Sequence, residues 1–181
     1  MALPQEKNYT VNDIYALPDG QRAELIDGQM YMMAPPNRIH QRLSHLLDWT
    51  IENYIRSKKG SCEVYPAPFS VFLNEDDRNY IEPDISVICD KSKLTEKGCN
   101  GAPDWIIEIT SPSNPQNDYG IKLFKYRTAG VREYWIVNPH TKTVTVYDFE
   151  KGDRANQYSF EDDVPVNIYE DFIINIANLL S

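Results

Sequence analysis

Long hydrophobic runs are missing from this 181-residue sequence. No stretch approaches the roughly 20 consecutive apolar residues that a membrane-spanning helix needs. The first residues, Met1 to Lys7, also lack the charged-then-apolar layout of a signal peptide. We therefore expect no association with a membrane.

Cysteine is scarce as well. Cys62, Cys89 and Cys99 are odd in number and show no paired spacing typical of metal ligands. A small buried thiol behaves as an apolar group that fills the core, and the pattern favours that role here. We expect all three thiols to be reduced, which predicts a cytoplasmic location.

Positive charge is in the minority: 18 Lys and Arg residues face 27 Asp and Glu residues, so the net charge is −9. That balance argues against a general nucleic-acid coat, because phosphate contacts need clustered cations. The distribution is uneven, however. Residues 36–59 carry five cations and two acids, residues 115–132 carry four cations and one acid, and residues 148–170 carry two cations and seven acids. The two basic stretches fit a solvated surface and a substrate-facing surface equally well.

Hydrophobic content of 41% is typical of a globular protein, and the length suits one domain over residues 1–181. Apolar periodicity and capping residues predict helices at Tyr9–Ala16, Asn37–Lys59, Pro115–Ala129 and Phe172–Leu180. Alternation and turn residues predict strands at Arg22–Ile26, Gln29–Met33, Cys62–Tyr65, Phe69–Leu73, Asp84–Cys89, Trp105–Thr110, Tyr134–Val137, Thr143–Phe149 and Gln157–Phe160, with a polar loop at Lys91–Gly101. This order predicts an α/β (mixed α+β) fold, with a mixed central sheet and the two longest helices packed against it.

Two carboxylates lie inside hydrophobic strands. Asp84 follows Pro83 at the start of one strand, and Glu108 lies within Trp105–Thr110. Such carboxylates are expensive to bury unless a cation compensates them, and a divalent metal commonly compensates a convergent pair. With a lysine on the next helix, the pair would support metal-assisted hydrolysis of a phosphodiester. Two structural alternatives stay open: Asp84 could simply begin a strand or turn, and Glu108 could pair with an arginine.

Helical phase selects between two lysines of the Pro115–Ala129 helix. Tyr119, Leu123 and Tyr126 form the apolar stripe that should pack on the sheet. Lys122 lies at the rim of that stripe and can bury its stem, whereas Lys125 is predicted to point toward water. Lys122 is therefore the better catalytic candidate, with a plain surface lysine as the alternative.

A set of short motifs in a fixed order makes the sequence similar to a known family. The motifs are Glu24-Leu-Ile-Asp-Gly28, Met32-Met-Ala-Pro-Pro36, His40, Pro83-Asp84, Glu108-Ile-Thr-Ser-Pro-Ser113, Asp118, Lys122, Tyr126 and Gly130-Val-Arg-Glu-Tyr-Trp135. They resemble the PD-(D/E)XK nuclease superfamily and, within it, the Uma-two family of endonuclease-like proteins. The similarity covers roughly Tyr9 to Leu180. One departure is clear: the superfamily usually has a lysine where this sequence has Thr110.

The resemblance implies a restriction-endonuclease-like core with an N-terminal β-hairpin, and cleavage of DNA. It implies that Asp84, Glu108 and the backbone carbonyl of Ile109 hold Mg²⁺ or Mn²⁺, and that Lys122 replaces the missing strand lysine. Glu24 and His40 match family positions near the site. For these two residues the alternatives are a surface acid of the hairpin and a satisfied histidine at a helix terminus.

Substrate contacts are predicted from the basic stretches, at Arg38, Arg42 and Lys125. Cutting both strands of a duplex takes two active sites related by a two-fold axis, which predicts a homodimer. Two other functions stay open. The domain could have kept the fold and lost catalysis, binding nucleic acid or protein, or it could hydrolyse another phosphate ester.

Overall fold

Six strands form one mixed sheet through the middle of the molecule. The structure is a computed structural model that describes residues 8–74, 76–111, 118–152 and 154–181, without the side chains of Asp118 and Tyr119. The helices are α1 (Val11–Tyr15), α2 (Arg38–Ser57), α3 (Leu123–Ala129) and α4 (Ile176–Leu180). A 3₁₀ turn spans Lys91–Lys93, and a π-helical turn, Asp118–Lys122, leads directly into α3. The strands are β1 (Ala23–Ile26), β2 (Gln29–Met32), β3 (Glu63–Pro66), β4 (Val71–Phe72), β5 (Ile85–Ile88), β6 (Leu94–Thr95), β7 (Gly98–Asn100), β8 (Trp105–Ile109), β9 (Glu133–Asn138), β10 (Thr143–Asp148), β11 (Ala155–Ser159), β12 (Val164–Pro165) and β13 (Ile173–Ile174).

The sheet order is β11-β10-β9-β8-β5-β3, and every neighbouring pair is antiparallel except β8 and β9. A parallel pair needs a crossover connection, which usually contains a helix. Here the crossover carries the π-helical turn and α3. The register places Ile85 opposite Ile107, so the start of β5 lies beside the end of β8.

Apolar side chains cover both faces of the sheet, and each face packs against one of the two predicted helices. On one face, α2 buries Leu43, Leu47, Ile51 and Ile55 against residues that include Trp105 and Ile107 of β8, Trp135 and Val137 of β9. On the other face, Tyr126 of α3 packs with Ile106, Tyr134 and Ile136. Successive strand residues point to opposite faces, which explains the division. The predicted mixed sheet flanked by helices is confirmed.

The hairpin β1–β2 turns at Asp27-Gly28, where both residues have positive φ (50° and 79°). Asp-Gly is a favoured pair for such a turn, so the predicted hairpin is confirmed. Helix α2 begins as predicted after Asn37, whose side chain accepts a hydrogen bond from the His40 N–H. Just after its other end, Lys59 takes the left-handed conformation (φ 52°).

Three element predictions need correction. The predicted polar loop Lys91–Gly101 contains β6 and β7, which pair with each other, and β7 also pairs with β4 in a separate three-stranded sheet. An added Cβ at Gly98 would lie 2.1 Å from the Ser70 carbonyl oxygen, so this close approach requires glycine. The predicted closing helix Phe172–Leu180 is split into β13 and α4. Of the predicted helix Pro115–Ala129, residues 115–117 lie outside the described part, and the α-helical portion begins only at Leu123.

The expectation of three reduced thiols is wrong for two of them, because Cys62 and Cys89 form a disulfide. They flank the paired strands β3 and β5, where Glu63 lies opposite Ile88, so the antiparallel register brings them face to face. Cys99 is a free buried thiol, and burial raises its pKa to about 11. Across the described residues, no helix is long and apolar enough to cross a membrane. The cytoplasmic location stays a prediction.

Glu133 is a fully buried carboxylate in β9. Its Oε1 accepts hydrogen bonds from Trp135 Nε1 (2.6 Å) and Asn167 Nδ2 (3.1 Å), and its Oε2 accepts one from the Ile168 N–H (2.9 Å). Burial raises the pKa of this carboxyl, and the hydrogen bonds partly oppose the shift. Glu133 therefore fastens the segment after β12 to the central sheet.

We expect Glu133→Ala to lower the free energy of unfolding by about 3 kcal/mol, because one buried donor and two partly buried donors lose their acceptor. Urea denaturation of the purified variant measures this loss. Glu150→Ala is the matched control, since Glu150 is an exposed carboxylate whose ion pair with Arg132 should contribute less than about 1 kcal/mol. Equal effects of the two substitutions would contradict the role assigned to Glu133.

Candidate active site

A cleft of about 500 Å³ opens where β5 begins and β8 ends. Its walls come from the first turns of α2, the hairpin, the segment before β5 and the π-helical turn. The lining residues are Arg22, Glu24, Tyr31, Met32, Met33, Ala34, Pro35, Pro36, Asn37, His40, Gln41, Ser44, Ala67, Glu82, Asp84, Glu108, Ile109, Ser111 and Lys122. The cleft thus contains all the predicted catalytic and auxiliary residues.

Asp84 lines the cleft and lies immediately before β5. Its Oδ2 accepts a hydrogen bond from the Ile109 N–H (2.7 Å) and lies 3.0 Å from His40 Nε2. The antiparallel register of β5 and β8 makes the first contact possible. The second depends on α2, because His40 lies in its first turn. Asp84 is therefore held beside the backbone of the residue that follows Glu108.

Glu108 projects from β8 toward the face that carries α3. Its Oε1 accepts hydrogen bonds from Lys122 Nζ (2.9 Å) and from the Tyr126 hydroxyl (2.6 Å). Both donors are on the crossover between β8 and β9, four residues apart, so they share one helical face. The carboxylate is buried, and a buried carboxylate without such partners would be strongly destabilising.

Lys122 joins Glu108 to the hairpin. Its ammonium lies 2.8 Å from Glu24 Oε2, 3.0 Å from Glu24 Oε1 and 2.9 Å from Glu108 Oε1, and its side chain is only 8% exposed. A buried ammonium needs this compensation. The structure therefore brings Lys122, Glu24 and Glu108 into one buried ion cluster, with Asp84 and His40 beside it.

The three residues predicted to bind substrate do not line the cleft. Arg38 and Arg42 are exposed on the first turns of α2 and do not line the cleft. Helical phase predicted that Lys125 points toward water, and the structure shows that this prediction is wrong. Its side chain is 14% exposed and forms an ion pair with Asp27 in the hairpin turn. The reason is that the hairpin packs against α3, so the flexible lysine stem finds a carboxylate nearby.

Sequence reasoning missed two charged residues of the cleft, Arg22 and Glu82, and the contact of Tyr126 with Glu108. Arg22 lies two residues before Glu24, and Glu82 lies two residues before Asp84. Side chains two residues apart on extended backbone project to the same side, so these spacings could have predicted that Arg22 lies beside Glu24 and Glu82 beside Asp84. Including them, the charged lining comprises four carboxylates and two cations, so the cleft has a net charge of −2 with His40 neutral.

The oxygen atoms of the cleft fit an ion such as Mg²⁺, which needs only a few ligands from the protein. Among the described residues no group of three or more His, Cys, Asp or Glu side chains is arranged to hold a metal ion by itself. Mg²⁺, however, usually keeps several waters and takes one or two carboxylates together with substrate phosphates. Asp84, Glu108 and the carbonyl oxygen of Ile109 provide hard oxygen donors of this kind at one edge of the cleft.

The sequence pattern of the Uma2 family, described as "Putative restriction endonuclease", matches residues 11–177. That range is most of the chain, so the protein belongs to the Uma2 family. The resemblance noted from the motifs is thereby confirmed.

Two further proteins are similar to this chain. A crystal structure from Anabaena variabilis, described as "a putative nuclease belonging to DUF820", superimposes with a TM-score of 0.75 at 22% identity, covering 94% of this chain and 96% of that one. At that identity the likeness shows the fold. An uncharacterized protein of Synechocystis sp. is 26% identical over 128 residues, which are 70% of this chain. The match spans 66% of that relative's length.

Proposed function

We propose that this protein is a metal-dependent endonuclease that hydrolyses DNA phosphodiester bonds in the cleft at the β5–β8 edge. The observation that carries the proposal is the juxtaposition of Asp84 with a Glu108 whose carboxylate is held by Lys122 and Tyr126. Membership of a family described as a restriction endonuclease supports the choice of DNA as substrate.

The charge of the cleft supports a requirement for a divalent cation. Four carboxylates against two cations would repel a phosphodiester, which is itself an anion. Mg²⁺ or Mn²⁺, held by Asp84, Glu108 and the Ile109 carbonyl, would offset the negative charge of the cleft, lower the pKa of a bound water and neutralise charge on the phosphate.

The protein side chains have separate tasks in this proposal. Lys122 orients the attacking water and stabilises the negative charge that develops on the phosphate, while Glu24 keeps its ammonium in place. His40 holds Asp84 through its Oδ2, and Tyr126 holds Glu108. Arg38 and Arg42, exposed beside the cleft, would contact backbone phosphates outside it. Lys125, already paired with Asp27, contributes only to the general field.

A second function is favoured by one observation. The ammonium of Lys122 is compensated by two carboxylates, so this cluster can stabilise the fold without a metal. A catalytically inactive domain that binds nucleic acid or protein would keep such a cluster. Metal binding and plasmid cleavage separate the two functions.

Asp84→Asn and Glu108→Gln should each weaken Mg²⁺ or Mn²⁺ binding at least tenfold, because each removes an anionic oxygen ligand while preserving shape. Isothermal titration calorimetry measures the affinity. Glu150→Gln, which removes an exposed acid outside the cleft, is the control and should bind as the parent does. If both cleft variants bind the metal as tightly as the parent, the proposed metal site is wrong.

Nicking of supercoiled plasmid in the presence of Mg²⁺ or Mn²⁺ tests the function directly. The parent protein should cleave and Asp84→Ala should not. Lys122→Ala should lower the cleavage rate by roughly 10²-fold or more, the range for loss of one preorganised electrostatic donor. Lys125→Ala removes the same charge from the same crossover and should cost far less. Equal losses from the two lysine variants would mean that the helix supplies only a general positive field.

We further propose a symmetric homodimer, because cleavage of both strands of a duplex takes two sites related by a two-fold axis. Multi-angle light scattering at micromolar concentration should report twice the monomer mass of 20.9 kDa. A monomer that still makes double-strand breaks would contradict this assembly.

A further inference from the structure

Arg22 and Lys122, the two cations of the cleft, differ in how far protein carboxylates compensate their charge. Lys122 is almost fully buried and is bonded to two carboxylates. Arg22 also lines the cleft, but its side chain is 37% exposed and its ion-pair partner is the single carboxylate of Glu82. The two cations therefore have different capacities for an incoming anion.

The guanidinium of Arg22 is anchored along one edge. Glu82 Oε2 accepts from Nε (2.8 Å) and from Nη2, the two nitrogens of that edge. The second edge, between Nη1 and Nη2, has no hydrogen-bond acceptor within the part of the chain that the structure describes. A guanidinium can bind a phosphate through such an edge by two parallel hydrogen bonds.

Glu82 is itself fixed, so the anchor is rigid. Its side chain is 9% exposed, its Oε1 accepts from the Tyr80 hydroxyl (2.7 Å), and that hydroxyl also contacts Ser70 Oγ (3.0 Å). The backbone N–H of Glu82 donates to Glu24 Oε1 (3.2 Å), which links the anchor to the ion cluster of Lys122. Both carboxylate oxygens of Glu82 are thus used in holding other protein groups.

The backbone of Arg22 is held by the hairpin. Its carbonyl accepts from the Met33 N–H (2.9 Å), which continues the β1–β2 pairing by one residue. Arg22 and Glu24 are two residues apart on extended backbone and so project to the same side. An arginine whose rotamer is already fixed loses little conformational entropy when it binds a ligand.

We propose that Arg22, oriented by Glu82, binds a backbone phosphate of the nucleic acid next to the one that is cleaved. This inference rests on the proposed function and assigns to Arg22 a contact inside the cleft that the sequence suggested for Arg38, Arg42 and Lys125. Arg22 binds the substrate through its free edge, and Glu82 is a positioning residue that does not touch the substrate.

Binding of a fluorescein-labelled DNA duplex of about 20 base pairs, measured by anisotropy between about 50 and 200 mM salt, tests the inference. Ca²⁺ replaces Mg²⁺ as the oxygen-coordinated ion, and a gel run afterwards checks that the duplex is intact. Arg22→Ala should weaken binding about tenfold or more and reduce the slope of log affinity against log salt by about 1. Arg22→Lys keeps the positive charge but lacks the planar guanidinium, so its affinity for the duplex should lie between those of the parent and of Arg22→Ala.

Two further proteins control the comparison. Arg154→Ala removes one exposed cation that does not line the cleft, so it should leave affinity and slope almost unchanged. Arg22→Ala combined with Glu82→Gln removes the carboxylate that the single variant would leave without its cation. It should bind as weakly as Arg22→Ala while melting closer to the parent temperature.

The outcomes separate this inference from the proposed function. Folded Arg22 variants with parental affinity and salt slope would overturn the role of Arg22 even if the protein cleaves DNA. A parent protein that binds the duplex but never cleaves it would overturn the endonuclease proposal while the Arg22 comparison still decides this inference. A parent protein that binds no duplex would overturn both.

Discussion

The site depends on the ion pairs that the ammonium of Lys122 forms with Glu24 and Glu108. The ammonium joins three elements that are far apart in sequence: the hairpin through Glu24, the central sheet through Glu108, and the crossover that carries the lysine. Removing one member of a buried ion cluster leaves the others uncompensated, which typically costs about 3–5 kcal/mol. The groups that we propose for catalysis are therefore also groups that hold the hairpin on the sheet.

Sheet topology explains why a lysine from the helix can replace one from the strand. Thr110, at the position where the superfamily usually has lysine, is buried and donates its N–H to the Val137 carbonyl (2.9 Å). The chain then leaves the sheet and must return to form β9 parallel to β8. That return brings Lys122 back to the carboxylate of Glu108, fourteen residues earlier in the chain. The same crossover delivers Tyr126, so one connection supplies both donors to Glu108.

Local signals in the sequence were sufficient for much of the fold. The Asp27-Gly28 turn, the Asn37 cap and the apolar stripe of α2 each depend on neighbours within a few residues. Those signals failed where the partner is distant: the Cys62–Cys89 disulfide needs the register of β3 on β5, and β7 pairs with β4, which lies well before it in the chain. In the site, strand alternation and helical phase indicated Glu108 and Lys122. The pair Arg22–Glu82 is separated by 60 residues, and no periodicity connects its members.

The cleft has more negative charge than its ion pairs can neutralise, and this excess decides how its two cations divide the work. The charge of Lys122 is compensated by the carboxylates of Glu24 and Glu108. Lys122 can therefore interact strongly with a phosphate only after another cation has offset part of the negative charge of those two carboxylates. Arg22 needs no such change, because Glu82 uses one edge of its guanidinium and the second edge has no acceptor among the described residues. In this scheme a divalent ion activates the site by altering the charge around Lys122, whereas Arg22 positions the nucleic acid. Affinity and rate should therefore depend on different residues of the same cleft.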